Sequence, residues 1–186
     1  SIVSIDQYRG ARSAVRHLAE LGHERILHVA GPQRAPDALE RVRGWRDELA
    51  AHRLEAVEPM IGDWTPAGGY RIGSQLDIEP GTAVFAANDM MALGCLYALN
   101  EAGVVVPDQV ALAGFDDIPL ARFVHPTLTT MRVNIAELGG LTVTRLLAAI
   151  ESAEHQVHAP QILVPELIVR ASSIPARSRK PHADSS

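Results

Sequence analysis

Arg41, Trp64, Asn88, Asp89, Asp116 and Asp117 are of the right types to build a binding site. All but Arg41 come just after short apolar runs, in Gly62-Asp63-Trp64, Asn88-Asp89 and Gly114-Phe115-Asp116-Asp117, and another such run ends at Gly31-Pro32. Carboxylate, amide and guanidinium groups exchange hydrogen bonds with hydroxyls, and a flat indole covers the C–H face of a ring. The set suits a neutral polyhydroxy ligand. Each residue also has a plainer reading. Asn88 or Asp89 would cap a helix, Asp116 and Asp117 would be a solvated turn, and Trp64 would staple the helix that follows it. Arg41, set among Glu40, Arg43, Arg46 and Asp47, would lie on a solvated helix face.

What favours the binding reading is the order of the elements. Strands are expected at Ile2 to Ile5, Arg25 to Ala30, Ala56 to Ile61, Thr82 to Ala87, Val110 to Ala113 and Ile162 to Val169, each a short apolar run bounded by turn residues. Helices are expected between them. One runs from Gly10 to Leu21, with Ala11, Ala14, Val15 and Leu18 at helical spacing and Gly22 as the stop; another runs from Asp37 to Ala51, with Leu39, Val42 and Leu49 inward. A third opens with Thr65 as N-cap and Pro66 at the first helical position and reaches about Leu76. Met90 to Ala102 is the next, stopped by Gly103, and Asn134 with Glu137 has the spacing of a capping box ahead of a long helix to Ile150. Alternation of this kind implies an α/β fold with a doubly wound parallel sheet. The carboxyl ends of its strands share one edge, and ligands bind in the crevice outside it.

Composition narrows the function. The chain of 186 residues is 47% hydrophobic and 21% charged, as in a globular protein, and its net charge of -5 argues against this piece holding nucleic acid itself. No apolar run is long enough for a membrane helix. The one cysteine, Cys95, excludes an internal disulfide, reads as a small core residue, and fits a cytoplasmic setting. The chain opens within a strand, with no initiator Met and no charged leader, so it is expected to be a piece of a longer protein. Dinucleotide, P-loop, nucleophile-elbow and HExxH motifs are all missing. The eight histidines are scattered; His17 and His23 make a poor metal pair, and His125 has no carboxylate or nucleophile at fixed spacing. No catalytic residue, cofactor or metal is expected. The Asp116-Asp117 pair would suit a phospho-acceptor domain only with a strand-end lysine, and the one lysine is Lys180 in the tail.

In several segments the sequence resembles the LacI/GalR family of bacterial transcription regulators: His17-Leu18-Ala19-Glu20-Leu21-Gly22-His23, Ala30-Gly31-Pro32, Arg41-Val42-Arg43-Gly44-Trp45, Gly62-Asp63-Trp64-Thr65-Pro66, Ala87-Asn88-Asp89-Met90-Met91-Ala92, Gly114-Phe115-Asp116-Asp117-Ile118-Pro119 and Pro126-Thr127-Leu128-Thr129-Thr130. The resemblance implies a two-lobed, periplasmic-binding-protein-like fold, with the C-terminal lobe complete and the N-terminal lobe truncated. Residues 7–134 and 162–175 would form the first, 1–6 and 135–161 would be remnants of the second, and 176–186 a disordered tail. It further implies that Arg41, Trp64, Asn88 and Asp116 contact a small-molecule effector, a sugar or sugar derivative. A homodimer interface would include Met90, Leu93, Leu96, Tyr97, Leu120 and Phe123. Ile135 departs from the family, which often has a phenylalanine there.

The function expected on these grounds is the effector-binding and dimerisation module of a sugar-responsive repressor. Operator DNA would be bound only through an N-terminal domain outside this chain. The alternative is a periplasmic sugar-binding protein of a transporter, which shares the fold. A small α/β enzyme using Asp116 or Asp117 as acid or base is the more distant rival.

Overall fold

The computed structural model describes residues 3–151 and 160–174. Within these, β1 (Val3–Ile5), α1 (Gln7–Glu20), β2 (Arg25–Ala30), α2 (Pro36–Ala51), β3 (Met60–Ile61), α3 (Pro66–Gly73), β4 (Thr82–Ala86), α4 (Asp89–Glu101) and β5 (Ala111–Asp116) follow in order. A 3-10 turn (Pro119–Arg122) leads to β6 (Thr129–Arg132), α5 (Ile135–Glu151), β7 (Gln161–Leu163) and β8 (Glu166–Ile168). The tail expected from 176 and the Glu137 side chain of the expected capping box lie outside the described residues.

The main sheet has the order β3-β2-β4-β5-β6-β8. All its pairings are parallel except β8, which returns antiparallel along β6. The order reverses between β2 and β4, and a crevice opens outside the carboxyl ends at such a point. Strand residues alternate between two cores. Ile26, Phe85, Ala113 and Phe115 face α1 and α2, where Ala11, Val15, Leu18, Trp45 and Leu49 are buried. Leu27, Val29, Val84 and Leu112 face α3 and α4, where Ile72, Met91, Cys95 and Leu99 are buried. A separate two-stranded parallel sheet joins β1 to β7, with α5 packed on β1.

Several element boundaries differ from expectation. Helix α1 starts at Gln7, because Asp6 caps it by accepting the Arg9 N–H at 2.8 Å. Strand β3 shrinks to two residues beside Val29 and Ala30; Pro59, just before it, has no N–H for a ladder. Helix α3 ends at Gly73 with Ser74 as C-cap. Leu39 points outward, 50% exposed, because Ala38, Arg41 and Trp45 occupy the buried face of α2. Strand β5 runs on through Gly114 to Asp116, and β6 lies where no strand was expected. The single strand expected from Ile162 to Val169 is two, interrupted at Val164-Pro165. Ile162 and Leu163 pair with β1 in the small sheet, so the chain passes between sheets after Leu163 and not before Ile162.

Candidate functional site

The expected site residues come together at the carboxyl ends of β2, β3, β4 and β5. Arg41 lies on the inward face of α2 and is 5% exposed, so the solvated-face reading fails. Its Nε donates to Gln7 Oε1 at 2.9 Å, and its guanidinium also donates to the Ala87 carbonyl at the end of β4. One terminal nitrogen lies 3.8 Å from Asp116 Oδ1. The guanidinium stacks 3.8 Å from the centre of the Phe115 ring and 5.6 Å from that of Trp64. Burial lowers the Arg41 pKa, with Asp116, Asp37 and Asp89 pulling the other way.

Trp64 is half-buried and left-handed, with φ 69°. The turn is fixed by Asp63, whose Oδ1 accepts from the Thr65 N–H at 3.0 Å and hydroxyl at 2.6 Å. Thr65 caps α3 as expected, accepting the Gly68 N–H at 3.0 Å. The indole lies across Gly31, where any Cβ would collide with its six-membered ring. Glycine at the end of β2 therefore makes room for the aromatic platform.

Asn88, not Asp89, caps α4: its Oδ1 accepts the Met91 N–H at 2.9 Å while its Nδ2 donates to the Trp64 carbonyl at 3.1 Å. Each group keeps capacity for one more hydrogen bond, so the amide can cap and still meet a hydroxyl. Asp116 is half-buried beside Arg41, with φ 117°. Burial pushes its carboxyl up to about 6, against the pull of Arg41.

Asp89 and Asp117 turn away from solvent. Asp89 is fully buried, accepting the Thr130 hydroxyl at 2.5 Å and the Ile118 N–H at 2.9 Å. Burial lifts it to about 7, although both hydrogen bonds act to lower it. The side chain of Asp117 is 2% exposed and receives Arg170 at 2.5 Å and Arg132 at 2.7 Å. Burial acts to raise its pKa, but these arginines outweigh it and hold it below the ordinary range. The solvated-turn reading of Asp117 therefore fails. Gln7 and Phe115, which fix the Arg41 fork, were not singled out in the sequence. The spacing of Arg41 to Trp45 on α2 is the signal that puts Arg41 inward.

Of the residues expected at a subunit interface, Met90, Leu93, Tyr97 and Leu120 share one face. Met90, Tyr97, Leu120 and Phe123 are 38%, 61%, 50% and 81% exposed. Leu93 is half-buried, and Leu96 turns into the core at 4%. Pro66, Tyr70, Met90, Leu93, Tyr97 and Leu120 line an apolar groove of about 480 Å³ on this side. Cys95 is buried below it and donates to the Gly69 carbonyl at 3.2 Å, with its thiol pushed up to about 12 by burial. Among the described residues, no group of three His, Cys, Asp or Glu is placed to hold a metal ion. No helix among them is long and apolar enough to cross a membrane.

Residues 15–173 match the family model for the periplasmic binding protein-like domain. The HTH-type transcriptional regulator AscG of Escherichia coli is 34% identical over 94% of this chain and 52% of its own length. The chain spans about half the length of the curated relatives it matches. A solved complex of the transcriptional regulator CelR with cellobiose superimposes with a TM-score of 0.82 at 35% identity, over 92% of this chain and 54% of that one. A lac repressor dimer bound to operator and an anti-inducer gives a TM-score of 0.86 at 29% identity, over 93% of this chain and 52% of that one.

Proposed function

The chain belongs to the periplasmic-binding-protein-like family, among the LacI/GalR transcriptional regulators, and on that footing we propose that it is the effector-binding and self-association module of a sugar-responsive repressor. The observation that carries this is the convergence of Arg41, Trp64, Asn88 and Asp116 at the strand ends. A guanidinium 3.8 Å from a carboxylate, an amide with spare capacity and an indole beside them offer donors, acceptors and a ring-stacking face at one place. The solved CelR complex contains cellobiose, which supports a sugar as the class of effector. The set works by binding and does not turn over its ligand.

The main sheet, with α1 to α4, is the C-terminal lobe in this reading, and β1, α5 and β7 belong to the other. Effector held between the lobes would favour one lobe angle over another. A second copy would cover the apolar groove beside α4, as the dimeric state of the solved lac repressor supports. Operator DNA would be held by a part of the protein outside these residues, consistent with a net charge of -5 here. A cytoplasmic setting belongs to the same proposal. Sugar and operator affinities would then be linked by one reciprocal coupling free energy.

The test is calorimetric titration of a panel of mono- and disaccharides, cellobiose and ribose among them, into wild-type protein and Arg41→Ala. One or more sugars should bind the wild type and leave unchanged. Arg41→Ala should lose roughly 30-fold or more in affinity, the range expected when one partner of a buried, hydrogen-bonded charge is truncated, while self-association is unaltered. Unchanged affinity in the variant would remove Arg41 from the site, and conversion of the sugar to product would overturn the reading.

A further inference from the structure

Asp89 has a fully buried carboxyl group that the binding site does not use directly, and Thr130 is a fully buried hydroxyl on β6. Together they hold two successive peptide N–H groups. The Asp117 N–H donates to Thr130 Oγ1 at 3.3 Å, and the Thr130 hydroxyl donates in turn to Asp89 Oδ1 at 2.5 Å. Asp89 Oδ2 takes the next amide, Ile118 N–H, at 2.9 Å. Gly114 makes the arrangement possible, since a Cβ there would collide with Asp89 Oδ1.

The held peptides lie between two functional features. One residue upstream is Asp116, beside Arg41. Downstream, the Ile118 carbonyl accepts the Ala121 N–H at 3.0 Å and so starts the turn that carries Leu120 and leads to Phe123. Asp89 itself is the first residue of α4, next to the cap Asn88 and on the same helix as Met90, Leu93 and Tyr97. Met90, Leu93 and Tyr97 from the helix and Leu120 from the turn line one groove. The groove is therefore built from helix and turn together.

We propose that Asp89, with Thr130, is a positioning residue: a two-amide clamp that locks the Asp116–Ile118 segment to the start of α4, so that the sugar cleft and the self-association face move as one unit. This rests on the self-association reading above. A carboxyl group suits the role because its two oxygens reach a hydroxyl and an amide at once in a fully buried place.

Amide hydrogen exchange and sedimentation equilibrium on the same protein test it. Asp89→Ala should speed exchange at Ile118 by about tenfold or more, since its hydrogen bond is gone, and weaken self-association by about tenfold. Asp89→Asn can accept from Ile118 with its oxygen and donate to Thr130, so it should restore both towards wild type. Thr130→Val, close to isosteric, should speed exchange at Asp117 more than at Ile118; it keeps the test available if Asp89→Ala fails to fold. Fast exchange at Ile118 with unchanged self-association would overturn the link between clamp and face. Unchanged exchange at Ile118, or an Asn variant as impaired as Ala, would overturn the clamp itself. Wild type that stays monomeric at every concentration, with the exchange pattern as expected, would refute the self-association reading and with it the link, leaving the clamp standing.

Discussion

Replacing Asp89 by asparagine should change how stability depends on pH, and the structure gives both sign and size. Asp89 is fully buried and faces the Thr130 hydroxyl of β6 and the Ile118 N–H, with the charges of Asp116, Asp117 and Arg41 nearby. Burial lifts its carboxyl from 3.8 to about 7. Between those values the folded state binds a proton that the unfolded state has released. Stability from this group is therefore full below pH 4 and is lost as pH rises towards 7. At about 1.4 kcal/mol for each unit, a shift of roughly three units is worth up to about 4 kcal/mol. Asparagine has the same shape, makes a bond to each partner and does not titrate. Urea unfolding followed by fluorescence of the buried Trp45, at fixed ionic strength from pH 4 to 8, would measure the difference. Variant and wild type should lie within about 1 kcal/mol of each other at pH 4, and the variant should then gain by about 3–4 kcal/mol by pH 8. Parallel curves across the whole range, or a wild type that gains on the variant as pH rises, would refute the reasoning.

His28 should show the opposite slope. It is stacked between Phe85 and Trp45, its Nδ1 donates to the Phe85 carbonyl at 2.8 Å, and its Nε2 has no hydrogen-bond partner among the described residues. Burial drives its pKa down to about 4, against the Phe85 bond and with help from Arg41 and Arg46. Its contribution is full above pH 6.5 and is lost as pH falls to 4, so His28→Phe should gain on wild type by up to about 3 kcal/mol over that window. Sugar affinity should decline as pH drops through about 6, where Asp116 takes up a proton and gives up an acceptor, and Asp116→Asn should flatten that profile in calorimetry. Tyr97→Asp, at a site 61% exposed in the apolar groove, should weaken self-association by about tenfold or more in sedimentation while leaving sugar affinity unchanged.

Much of this molecule was legible in the sequence because its strands are short apolar runs with clear stops. Arg25–Ala30 is read directly, the strand expected at Thr82 to Ala87 is right to within one residue, and Thr65-Pro66 marks the start of α3. What escaped depends on partners far along the chain. Strand β6 is four residues long, and its membership of the sheet is decided by pairing with Ala113–Asp116 on one side and Glu166–Ile168 on the other. Pro165 breaks what reads as one closing strand, and the two pieces go to different sheets. At the site, Asn88 and Asp89 are adjacent and both suit an N-cap. The decision falls to Asn88 because Asp89 finds Thr130, 41 positions on, over a residue with no side chain at Gly114. Arg41 sits in a charged stretch that hides it, yet its spacing from Ala38 and Trp45 already puts it on their face of the helix.

Backbone conformation gives the site a further common property. Among the described residues, the non-glycine residues with positive φ are Arg53, Trp64, Asp116 and Asp117. Arg53 is accounted for by helix termination: it follows the C-cap of α2, and its N–H bonds the Ala50 carbonyl at 3.0 Å. The other three lie at or just past the ends of β3 and β5. Each such conformation costs on the order of 1–3 kcal/mol and persists only where its surroundings over-determine it. Here the restraints can be named. Asn88 holds the Trp64 carbonyl, Arg41 approaches Asp116, and the Asp117 peptide and carboxylate are fixed by Thr130, Arg132 and Arg170. Relaxing Trp64 or Asp116 to negative φ would swing its side chain away from the shared edge. The strain and the convergence therefore have one cause: the strand ends are bent so that an indole and a carboxylate meet an arginine that arrives from the helix.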